Sequence, residues 1–373
     1  MTIRTTHVGS LPRSAMIADL LFGQEKGLLF EPVAYQQAMD GATAAIVARQ
    51  REVGIDIPSD GETSKISYAT YIKDRLTGFE GDSPRVAPAD LEDFPAFLDR
   101  LAKAGGTPSF RRPRCTGPVA VKSMAPLQAD ITAMQSALAA AGYAEGFMNS
   151  ASPGVIALFH PSSHHATLDD YLAEAAEGMR HEYEAIVASG LILQIDAPDI
   201  ALGRHMMYKH LDEAAFLRRL AIHIEVLNHA HRNIPRNRVR MHICWGNYEG
   251  PHTRDVSMEA VITELLKAKP GAILFEAANP RHAHEWTVWH GRKIPDDLVL
   301  IPGCLDSTTN FVEHPELVAQ RLQNFVAAVG QDRVIAGTDC GFSTFAGFGV
   351  VDAQIVWTKL AALAEGAAIA STE

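Results

Sequence analysis

His242 and Cys244 stand two residues apart in the run Val239-Arg240-Met241-His242-Ile243-Cys244. On an extended strand that spacing points both side chains to one face. Glu276 closes a second apolar run, Ala272-Ile273-Leu274-Phe275-Glu276, and Cys340 lies just beyond a third, Arg333-Val334-Ile335-Ala336-Gly337. If these three strand ends meet, one imidazole, two thiolates and a carboxylate surround a point. Sulfur with imidazole suits tetrahedral zinc, and a single replaceable oxygen ligand suggests a catalytic site. Two thiolates already neutralise Zn²⁺, which weakens it as a generator of hydroxide. A substrate thiol can instead displace the Glu276 oxygen and ionise without changing the total ligand charge, giving a nucleophile at neutral pH. An isolated H-x-C is a weak signal, because a strand histidine or cysteine is often only a core residue. The argument therefore rests on four donor-type residues at three strand ends. Cys115 and Cys304 read as small buried hydrophobes.

The elements that must bring these ends together alternate short β-rich runs with amphipathic helices. Leu168, Tyr171, Leu172, Ala175, Met179, Tyr183, Ile186 and Val187 recur at helical spacing, Gly190 supplies a left-handed stop, and a strand from Leu191 to Asp196 follows. The order repeats with a helix near 213–232 before the His242 strand and one from Met258 to Ala268 before the Glu276 strand. Leu298 to Gly303 makes another strand, and Pro315 opens a helix that Gly330 closes. Earlier strand candidates are Ile3 to Val8, Gly54 to Ile57 and Val155 to Phe159. Eight β-then-α units with strands buried on both faces predict an α/β fold, a (β/α)8 TIM barrel formed by residues 1–373 as a single domain. The Pro-, Arg- and Asp-rich segment at about 78–125 breaks the rhythm and reads as an inserted excursion containing a hairpin. Ala361 to Glu373 is Ala-rich, the composition of a tail that frays. Barrel active sites form at strand C-termini, so Gly9-Ser10, Asp60-Gly61-Glu62, Asp196, His242, Cys244, Glu276, Asp306 and Cys340 should share one mouth.

Composition narrows the class. Lys and Arg number 33 against 44 Asp and Glu, a net charge of −11, which lacks the footprint of a nucleic-acid binder. With 47% hydrophobic and 21% charged residues the chain is globular rather than disordered. Four cysteines are too few for a disulfide framework. No apolar run approaches the roughly 18 residues of a membrane span, and residues 1–13 lack the apolar core of a signal peptide. A cytoplasmic protein is expected, and a homo-oligomer is compatible with all of this.

In order and spacing, Thr5-Thr6-His7-Val8-Gly9-Ser10-Leu11-Pro12, Asp60-Gly61-Glu62, Gln194-Ile195-Asp196, His242-Ile243-Cys244 and Asp339-Cys340-Gly341 resemble the catalytic barrel of cobalamin-independent methionine synthase. They are similar too to its short relatives, among them epoxyalkane–coenzyme M transferase. The resemblance runs from residue 3 to about 345, without the extra N-terminal barrel of the long methionine synthases. It implies zinc on His242, Cys244, Glu276 and Cys340. It also implies that Gly9 and Ser10 hold the carboxylate of an amino-acid thiol and that Glu62 and Asp196 take its ammonium group. The catalytic carboxylates implied are Glu276 and Asp306.

Two positions depart from the family pattern. Phe159 falls where a Trp stacks on the pterin, and in Asp306-Ser307-Thr308 the threonine replaces a proton-donating His. Methylfolate has an amine leaving group that needs a proton, so these departures favour a more activated donor, such as a methylated corrinoid or an epoxide. The activity implied is alkylation of a small-molecule thiol by a small-molecule alkyl donor, foremost methyl transfer to homocysteine giving methionine. Addition of a coenzyme M-like thiol to an epoxide is the alternative. A metal-free lyase resembling uroporphyrinogen decarboxylase is remoter, because it has no use for His242, Cys244 and Cys340 together. A barrel with only a structural zinc leaves Ser10, Glu62 and Asp196 without a role.

Overall fold

A computed structural model describes residues 2–84, 86–103 and 111–372. Nine strands are numbered in chain order: β1 Arg4–Thr5, β2 Phe79–Glu80, β3 Arg114–Cys115, β4 Phe147–Ala151, β5 Ile192–Asp196, β6 Val239–His242, β7 Ala272–Phe275, β8 Val299–Pro302 and β9 Ile335–Ala336. Strands β4 to β8 pair side by side, all parallel. Parallel bridges at Leu300↔Val334 and Gly303↔Gly337 carry the sheet on to β9, which pairs with β1. Residues 56–59 close the ring between β1 and β4. Asp56 and Ile57 N–H groups donate to Thr5 O at 3.2 and 3.0 Å, and the Phe147 N–H donates to Pro58 O at 2.9 Å. The result is the eight-staved parallel (β/α)8 barrel that the alternation predicts.

The second stave is the shortest because Pro58 has no N–H to give to a ladder. A side chain compensates. Buried Gln50 accepts from the Ser59 N–H at 3.0 Å and donates to Ser59 O at 2.8 Å, as a neighbouring strand would.

Period-two alternation sorts the strand residues. Leu193, Ile195, Met241, Ile273 and Phe275 belong to the main core under the helices, while Val8, Leu274 and Ile301 form a separate apolar cluster inside the barrel. Ala272, Val299 and Ile335 pack against that cluster, and polar groups share the interior with it. Arg240 lies over the Phe147 ring, 3.5 Å from its centroid, and crosses the barrel to bond Gln194 Oε1 at 2.7 Å, Thr6 Oγ1 at 3.0 Å and His7 O at 3.0 Å.

The long helices follow their sequence signals. Leu168–Ala188 begins at Thr167, whose hydroxyl accepts from the Asp170 N–H at 3.1 Å, and buries Tyr171, Leu172, Met179, Tyr183 and Ile186. Two expectations fail. Val155 to Phe159 is not a strand: β4 occupies 147–151, and Pro153–Phe159 is a short helix. The reason is local, since Ser152 caps the Val155 N–H at 2.9 Å and Pro153 takes a first-turn position that needs no donor. Nor does the Ala-rich tail fray. Helix Ala353–Ala370 buries Leu360, Leu363 and Ala367, and Gly366 sits where a Cβ would come within 2.5 Å of Val318.

Within the excursion β2 and β3 form an antiparallel pair, Phe79 opposite Cys115, and among the described residues between them lie the helices Ala89–Glu92 and Pro95–Lys103. Among the described residues, no helix is long and apolar enough to cross a membrane.

Candidate active site

The register across β5 and β6 pairs Asp196 with His242 at the C-terminal rim of the barrel. Two residues on, past the Ile243 N–H that bonds Leu274 O at 3.0 Å, Cys244 faces the same way. Cys340 arrives from the loop after β9, and one donor atom each from His242, Cys244 and Cys340 lie within 4.8 Å of one another. All three side chains are buried, and together they could hold a metal ion.

Among themselves the three groups hold His242 and Cys340 protonated at neutral pH. Cys340 hydrogen-bonds to the Cys244 sulfur, which, despite burial, brings the Cys244 thiol down to about 7, while Cys340 itself is pushed well above its usual range. Burial pulls His242 down, but the Asp196 carboxylate and the Cys244 sulfur outweigh it and hold the imidazole up at about 9. A cation would displace these protons.

Glu276 stands behind this group, outside the 4.8 Å cluster. Its Oε1 accepts from the Trp245 N–H at 2.8 Å, and burial pushes its carboxyl up to about 8. Asp339 ties the strand ends together. Its carboxylate accepts from the N–H groups of Ala277, Ala278 and Asn279 at 2.8, 2.9 and 2.6 Å, so the turn after Glu276 is bound to the residue preceding Cys340.

Beside the thiols lies a narrow cavity of about 40 Å³, its wall including Ser10, Glu62, Tyr68, Asp196, Asn247 and Thr344. Gly9 makes the approach of Ser10 possible: its φ is +146°, and a Cβ there would lie 2.2 Å from Asn149 Oδ1. Ser10 O accepts from the Phe342 N–H at 2.9 Å, which joins this loop to the one carrying Cys340. Glu62 has a left-handed backbone, φ +56°. It is fixed by Asp60, which accepts from the Glu62 N–H at 3.0 Å, and by the Arg13 guanidinium on Glu62 O at 2.5 and 3.1 Å. Burial pushes the Glu62 carboxyl up to about 7 against the pull of Lys65, and Oε2 meets no hydrogen-bond partner among the described residues. Asp196 accepts from Asn149 Nδ2 at 2.8 Å and Gln194 Nε2 at 3.2 Å.

Two further expected residues stand apart from the cavity. Asp306 is engaged locally, accepting from the Thr308 N–H and hydroxyl at 2.8 Å and from the Thr309 hydroxyl at 3.2 Å. Phe159, at the end of its short helix, is not in the cavity wall but meets Tyr68 of that wall edge to face at 5.7 Å. Sequence reasoning missed Arg13, Lys65, Asn149, Trp245 and Asp339 as supports. The tryptophan beside Cys244 and the aspartate beside Cys340 were signals of a kind; Arg13 gave none, because its partners are remote in the chain.

A parallel eight-stranded barrel with a thiol–imidazole cluster and carboxylates at its C-terminal rim defines a class, the barrels that gather their polar groups at the strand ends, here around a cluster that could hold a metal ion. Within it the family is shown directly: the family described as "Cobalamin-independent synthase, Catalytic domain" matches residues 3–85 and 91–355, and the chain belongs to it. The methionine synthase of Saccharolobus solfataricus is 20% identical over 375 residues, covering 99% of this chain and 95% of that protein. That of Sulfurisphaera tokodaii is 21% identical over 374 residues, with coverage of 99% and 93%. In fold, the chain is similar to a B12-independent methionine synthase from Shewanella sp. W3-18-1, with TM-score 0.72, 18% identity, and 99% and 98% of the two chains covered. A vitamin-B12-independent methionine synthase structure from Listeria monocytogenes aligns with TM-score 0.65 at 17% identity, over 98% of each chain.

Proposed function

We propose that this protein is a zinc-dependent thiol methyltransferase that converts homocysteine to methionine. The observation that carries the reading is the convergence of His242, Cys244 and Cys340 within 4.8 Å, beside a cavity whose wall also presents Ser10, Glu62 and Asp196. His242, Cys244 and Cys340 would hold the zinc, with Glu276 as the displaceable fourth ligand. Zinc bound there supplies a Lewis acid that keeps a substrate thiol ionised at neutral pH.

The chain's own groups do the rest. Glu62 and Asp196 receive the substrate ammonium, which gives Glu62 Oε2 the cationic partner it lacks among the described residues. The Ser10 hydroxyl and the Gly9-Ser10 backbone orient the carboxylate, leaving the sulfur aimed at the thiols. In the transfer the sulfur–methyl bond forms as the methyl–donor bond breaks, and the electron pair leaves with the donor. Two amide donors, Asn149 and Gln194, fix the Asp196 carboxylate where the ammonium would sit.

Addition of a coenzyme M-like thiol to an epoxide fits less well. A sulfonate calls for a cation, and among the described residues the cavity wall has two carboxylates and no lysine or arginine.

Metal analysis with product mass spectrometry tests the proposal. Wild-type protein should carry about one zinc per chain, as a single site requires, and form methionine from homocysteine and a methyl donor. Cys244→Ser and Cys340→Ser should lose both metal and turnover while keeping the far-ultraviolet dichroism of a barrel. Full zinc occupancy in both variants would sink the site.

A further inference from the structure

The loop that follows β6 folds around the ring of Tyr248. A Cβ at Gly246 or Gly250 would lie 2.5 or 2.4 Å from that ring, and the ring stacks on His252 with centroids 4.4 Å apart. His252 takes a left-handed backbone, φ +49°, which a side-chain-bearing residue keeps only when its surroundings impose it. Asp90 imposes it. Fully buried on the excursion's short helix Ala89–Glu92, Asp90 accepts from the Tyr248 hydroxyl with both oxygens at 2.8 Å and from the His252 N–H at 2.9 Å.

The contacts continue inward from His252. Its Nδ1 lies 3.0 Å from Asp255 Oδ2, which is 2.8 Å from His282 Nε2, and the His282 ring stacks on Trp245 at 4.1 Å. Trp245 is the residue after Cys244, and its N–H holds Glu276 Oε1 at 2.8 Å. The side chains of His252, Asp255 and His282 are only 2–3% exposed, so these links are shielded from water. Methyl transfer as described above has no use for this cluster as an acid, base or ligand.

We infer that Asp90 is a positioning residue for the metal centre. From the excursion it fixes the loop that starts beside Cys244 and, through His252, Asp255, His282 and Trp245, the orientation of Glu276. The physical basis is that a buried carboxylate with several charge-assisted hydrogen bonds has little freedom to swing, and outer supports of this kind commonly change metal affinity by 10–100-fold. The inference rests on the metal reading under Proposed function. Its rival is that Asp90 only fastens the excursion down, a task shared by the Arg254–Asp93 pair at 2.6 Å and the Lys209–Glu92 pair at 2.6 Å.

Cobalt(II) titration of the whole protein separates these cases, read by the thiolate-to-cobalt charge-transfer band, the visible ligand-field bands and competition with a chelator. Asp90→Asn should weaken cobalt binding about tenfold and shift the ligand-field bands. Tyr248→Phe, a milder change that removes one hydroxyl, should move both readouts the same way. The double variant should do little more than either alone, as coupled partners do. Asp93→Asn should leave both readouts unchanged. Wild-type affinity and bands in Asp90→Asn and Tyr248→Phe, with only a lowered melting temperature, would overturn the inference and spare the metal reading. A wild-type protein without the thiolate band would overturn the metal reading and the inference with it.

Discussion

Glu62 combines three properties that rarely meet in a residue serving only the fold: a left-handed backbone, burial to 2%, and a carboxylate oxygen with no partner among the described residues. Burying such a group is unfavourable unless a cation arrives. If that cation is the homocysteine ammonium, Glu62→Gln keeps the shape and removes the charge. We expect KM for homocysteine to rise about 100-fold, close to 3 kcal/mol of binding, with kcat within a fewfold. Steady-state kinetics decides it, and an unchanged KM would remove Glu62 from the substrate site. His242, Cys244 and Cys340 were legible in the sequence because their residue types are rare and period-two spacing fixes a common face. Arg13, which clamps Glu62 O and Ser343 O, was not legible, since nothing near it in sequence marks a partner 330 positions away. Asp306, expected from its strand-end position as a catalytic carboxylate, bonds Thr308 and Thr309 of its own turn, partners that the motif did not announce.

Segments 252–255 and 282–285 each set a histidine three residues before an acid, and the fold packs the pairs together. Burial lowers both imidazoles, but hydrogen bonds to Asp255 more than compensate, holding His252 up at about 9 and His282 up at about 10. Unfolded histidine titrates near 6.5. Both folded values lie above that, so their stabilisation is complete below about pH 6.5 and is lost as pH rises through about 9 to 10. Asp255, despite burial, is held well below the usual carboxylate range by His205, His252 and His282, so its contribution disappears only in strong acid. Melting temperatures should therefore decline from about pH 7 toward pH 10, and His282→Asn should flatten that slope. A wild-type profile level to pH 10 would contradict the assignment. At this scale the sequence was a good guide wherever caps and periodicity agreed, as in Leu168–Ala188. It misled at Val155 to Phe159, where a buried apolar run serves a helix as readily as a strand. The alanine-rich tail misled in the same way, because its small residues suit close packing such as Gly366 on Val318.

The alternation of elements carried the barrel, and the excursion announced itself by composition. It meets the β6 loop through Asp90, a residue that reads as ordinary surface acid until it is found buried. The assembled rim bears on the alkyl donor. Thr308 directs its hydroxyl to Asp306, and a hydroxyl is too weak an acid to protonate an amine leaving group. Missing general-acid catalysis typically costs about 10²–10⁴ in rate. We expect methylfolate to be slower than methylcobalamin by about that factor, measured as methionine formed under saturating homocysteine. Equal rates would mean that another group at the rim delivers the proton.

Gln50 makes the barrel a hoop fastened by a clasp. Seven staves rest on backbone ladders; the second, interrupted by Pro58, keeps a few backbone bonds to Thr5 and Phe147 and is reinforced at Ser59 by one amide side chain that also touches His7 Nε2 at 2.7 Å. A hoop parts at its clasp. Residues 56–59 and 147 should be where the native state first gapes, so the amides of residues 56, 57, 59 and 147 should exchange with deuterium sooner than those of β5 to β8. Gln50→Leu should widen that difference, because Ser59 N–H and C=O would then have no partner. The gap would open directly beneath Gly9 and Glu62, so loosening the clasp should blunt substrate recognition well before the rest of the barrel unravels.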